Sequence, residues 1–455
     1  MPTRFLPLII SREWGILDKI VTRSPKIGEI VLLVMMLSAC TARAGEYDFD
    51  IPGIKKRPYE IGGNLETRGI LHRLNRHGLL YKTKYYDASE SATRGEFHQI
   101  LELNGRVFVG PLRARIKTHS EYVETYRHHD LDHELYEAYL TYNTSPAFTL
   151  QTGKRVFKWG KGYAWNPAGF VNRPKDPEDP ERDLEGFTAL GADFIRSFGP
   201  AGLQSLSFTP LILPVSNHIN QELGESGDTL IAAKLYLLLY DTDLDFMVRL
   251  GPRRPEMYGI DFSRNLMENL EVHGELAYLR GYEHKALDDG GKLASETSNA
   301  FSFLFGLRYL TASDTTLIFE YYHHGEGYDS GEADRFYSFL DQSCRNYLDT
   351  KNQQQIDRAG KVRQAYLRNK NFMKDYFYLK VSQKEPFDIL YLTPYITLIT
   401  NLNDGSFSVS PSATYRPVTN LELTLRTIFP IGGSMTEYGE KQDRCRMELR
   451  VKYYF

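Results

Sequence analysis

Alternation of apolar and polar residues is the feature of this sequence that most limits its possible folds. Segments of about ten residues repeat with a period of two rather than 3.6. In the C-terminal segment, Met447, Leu449 and Val451 share one face, whereas Glu448 and Arg450 between them are charged. Successive side chains of a β-strand point to opposite sides, so the pattern predicts strands with one apolar and one charged face. An ordinary strand has about five or six residues, and these segments are longer. The pattern therefore favours strands that cross a bilayer.

The alternation predicts eighteen strands. Their approximate bounds are 64–74, 94–108, 112–126, 134–144, 148–157, 187–198, 203–211, 229–240, 244–251, 257–266, 270–282, 299–310, 315–325, 373–383, 389–400, 405–416, 420–430 and 446–455. Short turns such as Gly110-Pro111 follow the even-numbered strands, and longer polar segments follow most odd-numbered ones. This asymmetry is typical of outer-membrane barrels. The sequence therefore predicts an all-β fold, a transmembrane antiparallel up-and-down β-barrel of about 18 strands with long extracellular loops.

The composition of the chain excludes several other classes of protein. Its 55 Lys and Arg residues nearly balance its 58 Asp and Glu residues, whereas a nucleic-acid-binding protein carries a clear basic excess. The sequence contains no run of about 18 apolar residues, which a membrane-spanning helix requires. Hydrophobic residues make up 42% of the chain, with 31 Tyr and 25 Phe, so the chain is too apolar to be disordered. A membrane β-barrel and a large soluble domain both fit this composition.

The N-terminus carries an export signal. The apolar run IVLLVMML at residues 30–37 follows the basic residues Arg23 and Lys26, and small residues continue from it to Ala44. A positive flank, a short apolar core and an A-x-A site describe a secretory signal peptide. We therefore expect residues 1–44 to be removed during export to the bacterial outer membrane.

Two other interpretations of this region remain open. The sequence LSAC at residues 37–40 also looks like a lipobox, which would leave Cys40 lipidated, and the apolar run could instead be a buried core strand. With cleavage after Ala44, residues 45–63 form a short periplasmic segment and residues 64–455 form the barrel.

The predicted number of strands implies a passage through the barrel. A barrel of about eight strands is filled by its own side chains, whereas one of about 16 to 18 strands leaves an aqueous lumen unless something plugs it. The exported chain has only about 20 residues before its first strand. That length is too short for a globular plug, so any narrowing has to come from loops.

The loop at residues 158–186 is the best candidate for this narrowing. It contains two of the three Trp residues, beside Gly and Pro residues that permit fixed backbone shapes. We predict that it folds into the lumen with its basic residues facing its own acidic residues, Asp179 and Glu181 included; an ordered extracellular lid is the alternative. The candidate pore-lining and constriction residues are Arg113, Arg115, Lys117, Arg155, Lys158, Trp159, Lys161, Trp165, Arg173, Lys175, Asp176 and Glu178.

The charged faces of the strands predict a mixed lining with as many acidic as basic residues, so net steering of anions should be weak. Arg113, Arg115 and Lys117 form a basic ladder on the third strand that would favour anions locally. In the alternative interpretation, Glu102 and Glu137 on the neighbouring strands pair with this ladder.

One short element resembles a known family. Residues 153–155 (Gly-Lys-Arg), 159–160 (Trp-Gly) and 166–167 (Asn-Pro) are similar to an element of alginate-export-type porins and related uncharacterised proteobacterial barrels. The resemblance implies a monomeric diffusion channel of about 18 strands. Those exporters line their pores with many Arg and Lys residues, and the mixed lining predicted here departs from that pattern.

The longest predicted loop, residues 326–372, contains a polar segment at Gln354–Tyr366 that suggests a short helix over the pore mouth. Cys344 lies in this loop, and Cys445 lies at the outer end of the last strand. An even number of cysteines in an oxidising compartment is typical of disulfides, so we predict a bond between these two; a pair of free thiols is the alternative.

The sequence offers no catalytic or cofactor-binding motif. G-x-S-x-G, Walker and H-E-x-x-H patterns are absent. A cluster of His128, His129 and His133 with Asp130 and Asp132 has ligands suited to zinc, but exposed clusters of this kind usually hold no metal. We therefore predict a protein that is not an enzyme and has neither a cofactor nor a resident metal.

The predicted function is that of an outer-membrane porin for passive diffusion or export of small polar or anionic solutes. The alternative is a structural barrel that sheathes a partner such as a cytochrome or acts in envelope polysaccharide assembly. The predicted partners are outer-membrane lipid and a small solute, with no nucleic acid, and the chain is expected to be a monomer. A periplasmic partner is left open.

Overall fold

The computed structural model describes residues 57–87, 92–200, 202–252, 255–288, 290–367 and 371–455. The predicted signal peptide, Cys40 and most of the predicted periplasmic segment lie outside these residues. The strands are β1 (Tyr59–Leu74), β2 (Thr93–Val109), β3 (Leu112–Thr125), β4 (His129–Ser145), β5 (Phe148–Arg155), β6 (Phe187–Ser197), β7 (Leu203–Pro214), β8 (Thr229–Leu239), β9 (Thr242–Leu250), β10 (Glu256–Met267), β11 (Leu270–Leu287), β12 (Leu293–Leu310), β13 (Thr315–His323), β14 (Asp375–Gln383), β15 (Leu392–Asn401), β16 (Phe407–Val418), β17 (Leu421–Ile431) and β18 (Asp443–Tyr454). The α-helices are α1 (Leu79–Lys84), α2 (Ser330–Thr350) and α3 (Gln353–Tyr366), and short 3₁₀ turns lie at Gln221–Leu223 and Pro386–Asp388.

These eighteen strands form one closed antiparallel barrel. Each strand pairs with the next in sequence, and β18 returns to pair with β1. The closing register places Asn64 opposite Tyr454 and Arg73 opposite Cys445. Closure leaves no strand edge unpaired. The predicted fold class and strand number are therefore confirmed, and β1 begins at Tyr59, a little earlier than expected.

The connections differ in length between the two ends of the barrel. At one end, which we call the turn end, β2–β3, β4–β5 and β8–β9 are joined by two residues each. At the other end, the loop end, residues 75–92, 156–186 and 324–374 form long connections. The connection between β3 and β4 is shorter than predicted, since it spans only residues 126–128. His129 and His133 of the predicted loop cluster therefore lie in β4.

The outward face of the wall is apolar, as strand β18 illustrates. Its outward side chains Met447 and Leu449 are 44% and 51% exposed, whereas Glu448 between them points inward and is 3% exposed. Many other large apolar residues on the strands, among them Leu150, Leu276 and Phe305, are similarly exposed. Among the residues that the structure describes, no helix has both the length and the apolarity to span a bilayer.

Residues 324–367 and 371–374, which contain α2 and α3, cover part of the loop end; we call them the lid. Helix α3 agrees with the prediction at Gln354–Tyr366, but helix α2 was not predicted from the sequence. The start of α2 is marked by a capping box. The Asp329 side chain accepts a hydrogen bond from the Glu332 N–H, and the Glu332 side chain accepts one from the Asp329 N–H, both at 2.9 Å. Apolar residues at helical spacing, including Phe336 and Leu340, then face the interior and are fully buried.

The predicted disulfide is absent, because Cys344 and Cys445 are both free thiols. Cys344 is buried on α2 within the lid. Cys445 lies two residues before Met447 on β18 and so belongs to the outward face of the wall. The barrel wall therefore separates the two thiols, an arrangement that sequence position alone does not reveal.

Candidate functional site

The connection between β5 and β6, residues 156–186, lies across the lumen; we call it the inner loop. Glu275 of β11 accepts backbone N–H bonds from Lys161 and Gly162 at 2.6 Å, and from Ala168 at 2.9 Å. These bonds join the loop to the wall well away from the strands that carry it. Hydrogen bonds to a charged acceptor contribute about 1.5–3 kcal/mol each, so Glu275 is a strong anchor.

A second buried glutamate repeats this arrangement on β13. Glu320 accepts the backbone N–H of Ala164 at 2.8 Å and that of Tyr163. The Nε2 atom of His273 lies 2.9 Å from the same carboxylate. Glu275 and Glu320 are 1% and 0% exposed. Together they accept hydrogen bonds from five backbone N–H groups of the inner loop, those of residues 161–164 and 168.

Gly160 allows the loop to approach Glu275 this closely. Its φ of +89° lies in the left-handed region that favours glycine. A Cβ atom at this position would lie 2.9 Å from the Oε1 atom of Glu275. The Trp-Gly step at 159–160, which forms part of the resembling element, thus has a local structural reason.

The acidic residues of the inner loop bind the opposite part of the wall. Glu178 contacts Arg446 of β18 at 2.7 Å, and Asp179 contacts Arg450 of the same strand at 2.5 Å. Burial raises the pKa of Asp179, but the guanidinium groups of Arg450 and Arg426 outweigh it and hold the pKa below its ordinary value. The predicted pairing of these acidic residues with basic residues of the same loop is therefore wrong, because the wall supplies the partners.

The basic residues of the inner loop have partners both on the wall and within the loop itself. Lys161 lies 3.1 Å from Asp245 of β9, and Arg173 pairs with Glu222 at 2.7 Å and with Glu185. Lys175 donates to the carbonyl oxygens of residues 162 and 163. Burial lowers the pKa of its ammonium group, and the carboxylates of the two anchoring glutamates partly oppose this effect.

Asp176 and Lys158 are the remaining predicted residues of the inner loop. The Oδ1 atom of Asp176 accepts the backbone N–H of Glu178 at 3.1 Å and so shapes the loop locally. Lys158 is exposed to the lumen. Among the described residues it has no carboxylate partner.

Trp165 joins the inner loop to the lid. Its ring stacks on Tyr322 of β13 with centroids 5.2 Å apart, and its Nε1 atom donates to Asn371 at 2.9 Å. It belongs to a buried cluster that includes Phe336 and Leu340 of α2. The lumen is thus filled by apolar side chains toward the loop end, where the alternating pattern predicted a charged lining.

Trp159 packs in a second buried cluster on the other side of the loop. Leu211 and Leu213 of β7 point inward there, together with Phe157 and Phe170 of the inner loop. Strands β6 to β12 therefore have apolar residues on both faces where they surround this cluster. A period-two pattern cannot reveal such an interior, since the inner and outer faces have the same polarity.

Replacing Trp165 by alanine should loosen the contact between the inner loop and the lid. Removing a buried Trp typically costs about 3–5 kcal/mol, so we expect the free energy of opening of α2 and α3 to fall by a similar amount. Native-state hydrogen exchange of these helices measures this quantity. Trp165→Phe, which retains a stacking ring, should lose much less; equal losses in both variants would contradict the role of the indole.

Two polar cavities remain in the lumen between the inner loop and the turn end. One has a volume of about 710 Å³ and is lined by residues of β1, β2, β17 and β18 such as Glu60 and Lys452. The other has a volume of about 850 Å³ and lies along β3 to β6 and the inner loop. They share Arg115, Lys117, Glu181, Arg182 and Asp183 in their linings. We call them the first and second vestibule.

The predicted basic ladder on β3 is largely paired. Arg115 contacts Glu137 at 2.9 Å, and Lys117 lies 3.4 Å from Glu102. Both interactions belong to the alternative that the sequence left open. Arg113 is exposed nearer the turn end and has no carboxylate partner among the described residues.

Comparisons with known proteins give a likeness of fold. No family model and no curated protein matches the sequence, and the resemblance to alginate-export-type porins stays a prediction. Acinetobacter baumannii OccAB3 is 10% identical with a TM-score of 0.49, and the match covers 87% of this chain and 99% of that chain. Pseudomonas aeruginosa OpdQ is 13% identical with a TM-score of 0.48, covering 87% and 99%. A Rhodopseudomonas blastica porin variant is 8% identical with a TM-score of 0.41, covering 87% and 100%.

Proposed function

We propose that this protein is an outer-membrane channel through which small polar solutes diffuse passively. The observation that carries this proposal is a closed 18-stranded barrel with an apolar outer face and polar vestibules inside. A closed barrel satisfies its own backbone hydrogen bonds, as hydrocarbon requires. Outer-membrane barrels have their longer loops on the extracellular side and their short turns on the periplasmic side. The loop end is therefore extracellular and the turn end periplasmic.

The vestibules support a preference for anions. The described lining of the second vestibule contains nine Lys and Arg residues against five Asp and Glu residues, whereas that of the first contains eight against seven. A local excess of one sign of charge raises the concentration of ions of the other sign. A small anion entering from the periplasm would therefore concentrate at the second vestibule.

Arg155 and Lys158 are the strongest candidates for this effect. Arg155 donates to the Gln151 side chain and lies over the Tyr139 ring at 5.3 Å. Like Lys158, it has no carboxylate partner among the described residues. An unpaired cation in a lumen exerts a stronger field on a solute than one that is already neutralised.

Replacing both Arg155 and Lys158 by glutamine should lower the anion preference. The reversal potential under a salt gradient in planar bilayers measures the ratio of anion to cation permeability, and it should shift toward cations. Lys292→Gln/Lys384→Gln is a matched control, because it removes two exposed positive charges that lie outside both vestibules. An equal shift in both variants would contradict a specific role for the vestibule.

The channel itself is tested by the conductance of the purified protein in planar bilayers. Steady ohmic steps that respond to the lumenal substitutions support the proposal. Because the inner loop lies across the lumen, the Glu275→Gln/Glu320→Gln variant is recorded as well. A barrel that inserts but carries no current in either form would contradict the proposal and would favour a structural sheath.

A further inference from the structure

The connection between β14 and β15 at the turn end is longer and more apolar than the closure of a hairpin requires. It consists of the eight residues 384–391, whereas two residues are enough to join β2 to β3. Phe387, Leu390 and Tyr391 are 94%, 63% and 61% exposed, and Ile389 is 47% exposed. We call this connection the apolar knob.

Hydrogen bonds fix the knob at its base and within its turn. The Glu385 N–H donates to the Leu392 carbonyl oxygen at 2.8 Å, and the Oε1 atom of Glu385 accepts the Tyr391 N–H at 2.9 Å. The Tyr391 carbonyl oxygen accepts the Arg416 N–H of β16 at 3.2 Å. The 3₁₀ turn at Pro386–Asp388 lies between these contacts. A fixed backbone therefore presents the apolar side chains.

The backbone of the knob is also strained. Glu385, Phe387, Asp388 and Tyr391 have φ values of +46°, +58°, +58° and +63°, in the left-handed region that favours glycine. They are four of the ten non-glycine residues with positive φ in the described part of the chain. Strain of this kind persists only where the surrounding structure enforces it, and it clusters at functional sites. The conformation that exposes Phe387 thus indicates a use beyond closing the hairpin.

The apolar surface of the knob continues the outer face of the wall. Leu392 directly follows the knob on β15, and the strand register places it opposite Tyr415 of β16. Ile396 and Tyr415 are 45% and 39% exposed on this outer face. Hydrocarbon covers the outer face of a membrane barrel, and aromatic residues form girdles at both of its edges. The knob therefore lies where the lipid-facing surface meets the periplasmic side.

We infer that the apolar knob inserts into the periplasmic leaflet of the outer membrane and binds lipid there. The inference rests on the proposed function, since only a barrel in a bilayer brings the knob to that leaflet. Large exposed apolar patches mark surfaces that a partner or a membrane covers. Continuity with the lipid-facing wall makes lipid the occupant.

The charged residues of the knob set the depth of this insertion. Asp388 is exposed beside Phe387, and a charged side chain is costly in hydrocarbon. The tip of the knob should therefore remain at the level of the lipid headgroups. Lys384 is exposed at the base of the knob, where its long side chain can bring the ammonium group to lipid phosphates.

Tryptophan substitutions in the knob test this inference in phospholipid nanodiscs. The described residues contain two tryptophans, Trp159 and Trp165, which are each 3% exposed inside the barrel. Quenchers carried by lipid should not reach them, so a new indole in Phe387→Trp or Leu390→Trp reports its own surroundings. We expect brominated phospholipid to remove most of the added fluorescence in both variants, and iodide in the buffer to remove little of it.

Two reference positions calibrate this measurement. Met447→Trp places an indole on the outer face of the wall and should be quenched by brominated lipid alone. Leu348→Trp places one on the lid, at a side chain that is 66% exposed, and should be quenched by iodide alone.

The references separate the failure of this inference from the failure of the proposed function. If Met447→Trp responds to brominated lipid while Phe387→Trp and Leu390→Trp respond only to iodide, the barrel lies in the bilayer but the knob lies in water. The inference is then overturned, and the knob fits a periplasmic protein instead. If Met447→Trp does not respond to brominated lipid either, the proposed function fails and the inference fails with it.

Discussion

Replacing both Glu275 and Glu320 by glutamine should release the inner loop and raise the single-channel conductance of the barrel. The two carboxylates accept backbone N–H groups from five residues of the loop. Glutamine has the same shape but replaces one acceptor oxygen by an NH₂ group, which meets an N–H donor instead of binding it. Each donor left without a partner costs about 1–3 kcal/mol.

The expected size of this effect follows from the number of bonds lost. At least one donor at each glutamate loses its acceptor, so the bound form of the loop is destabilised by about 2–6 kcal/mol in total. Since 1.4 kcal/mol corresponds to a factor of ten, the released population should rise by roughly tenfold or more. Planar-bilayer recordings should then show larger and more variable current steps.

A matched control separates loop release from the loss of charge. Glu60→Gln/Glu422→Gln also removes two carboxylates from the lumen, in the lining of the first vestibule. Their partners are Arg106 and Arg416 rather than the inner loop. Only the Glu275/Glu320 variant should therefore change the step size. Equal currents in the two variants would show that the loop does not limit conduction.

The sequence predicted the wall of this protein better than its interior. The strands alternate over long segments, and strand pairing between sequence neighbours follows from short turns, so strand number and closure could be read from the pattern. On β7, however, Leu211 and Leu213 face inward while Ile212 between them is 46% exposed on the outer face. No alternation marks such a strand, and its apolar inner face could not be predicted.

The ion-pair partners of the charged residues in the inner loop also could not be predicted from the neighbouring sequence. Glu178 and Asp179 lie only a few residues from Lys175, yet they bind arginines of β18 about 270 positions later in the chain. This pairing depends on the path of the inner loop across the lumen, which long-range contacts decide. By contrast, the capping box at Asp329 and Glu332 was a local signal that an explicit search for helix starts would have found.

Deleting the helices of the lid should open the loop end and raise the conductance severalfold. Helix α2 contributes Phe336 and Leu340, and helix α3 contributes Val362 and Tyr366, to the buried cluster that contains Trp165. The two helices therefore close the lumen above the inner loop. None of the strands depends on them for pairing, since β13 and β14 pair directly. The barrel should therefore remain closed in the variant.

The structure indicates where to rejoin the chain. The Tyr328 N–H donates to the carbonyl oxygen of Phe372 at 3.0 Å, and Tyr328 forms an isolated bridge with Met373. Deleting residues 330–370 and linking Asp329 to Asn371 through two glycines thus spans a short distance. Leu348→Ser, which changes a lid side chain that is 66% exposed, is the control and should conduct like the unmodified protein.

Combining this deletion with Glu275→Gln/Glu320→Gln distinguishes the two obstructions. The lid and the inner loop lie one above the other in the same lumen, and resistances in series add. If both limit the current, the combined variant should conduct more than either variant alone. A deletion variant whose conductance equals that of the unmodified protein, and which gains nothing further in the combination, would show that solutes bypass the lid.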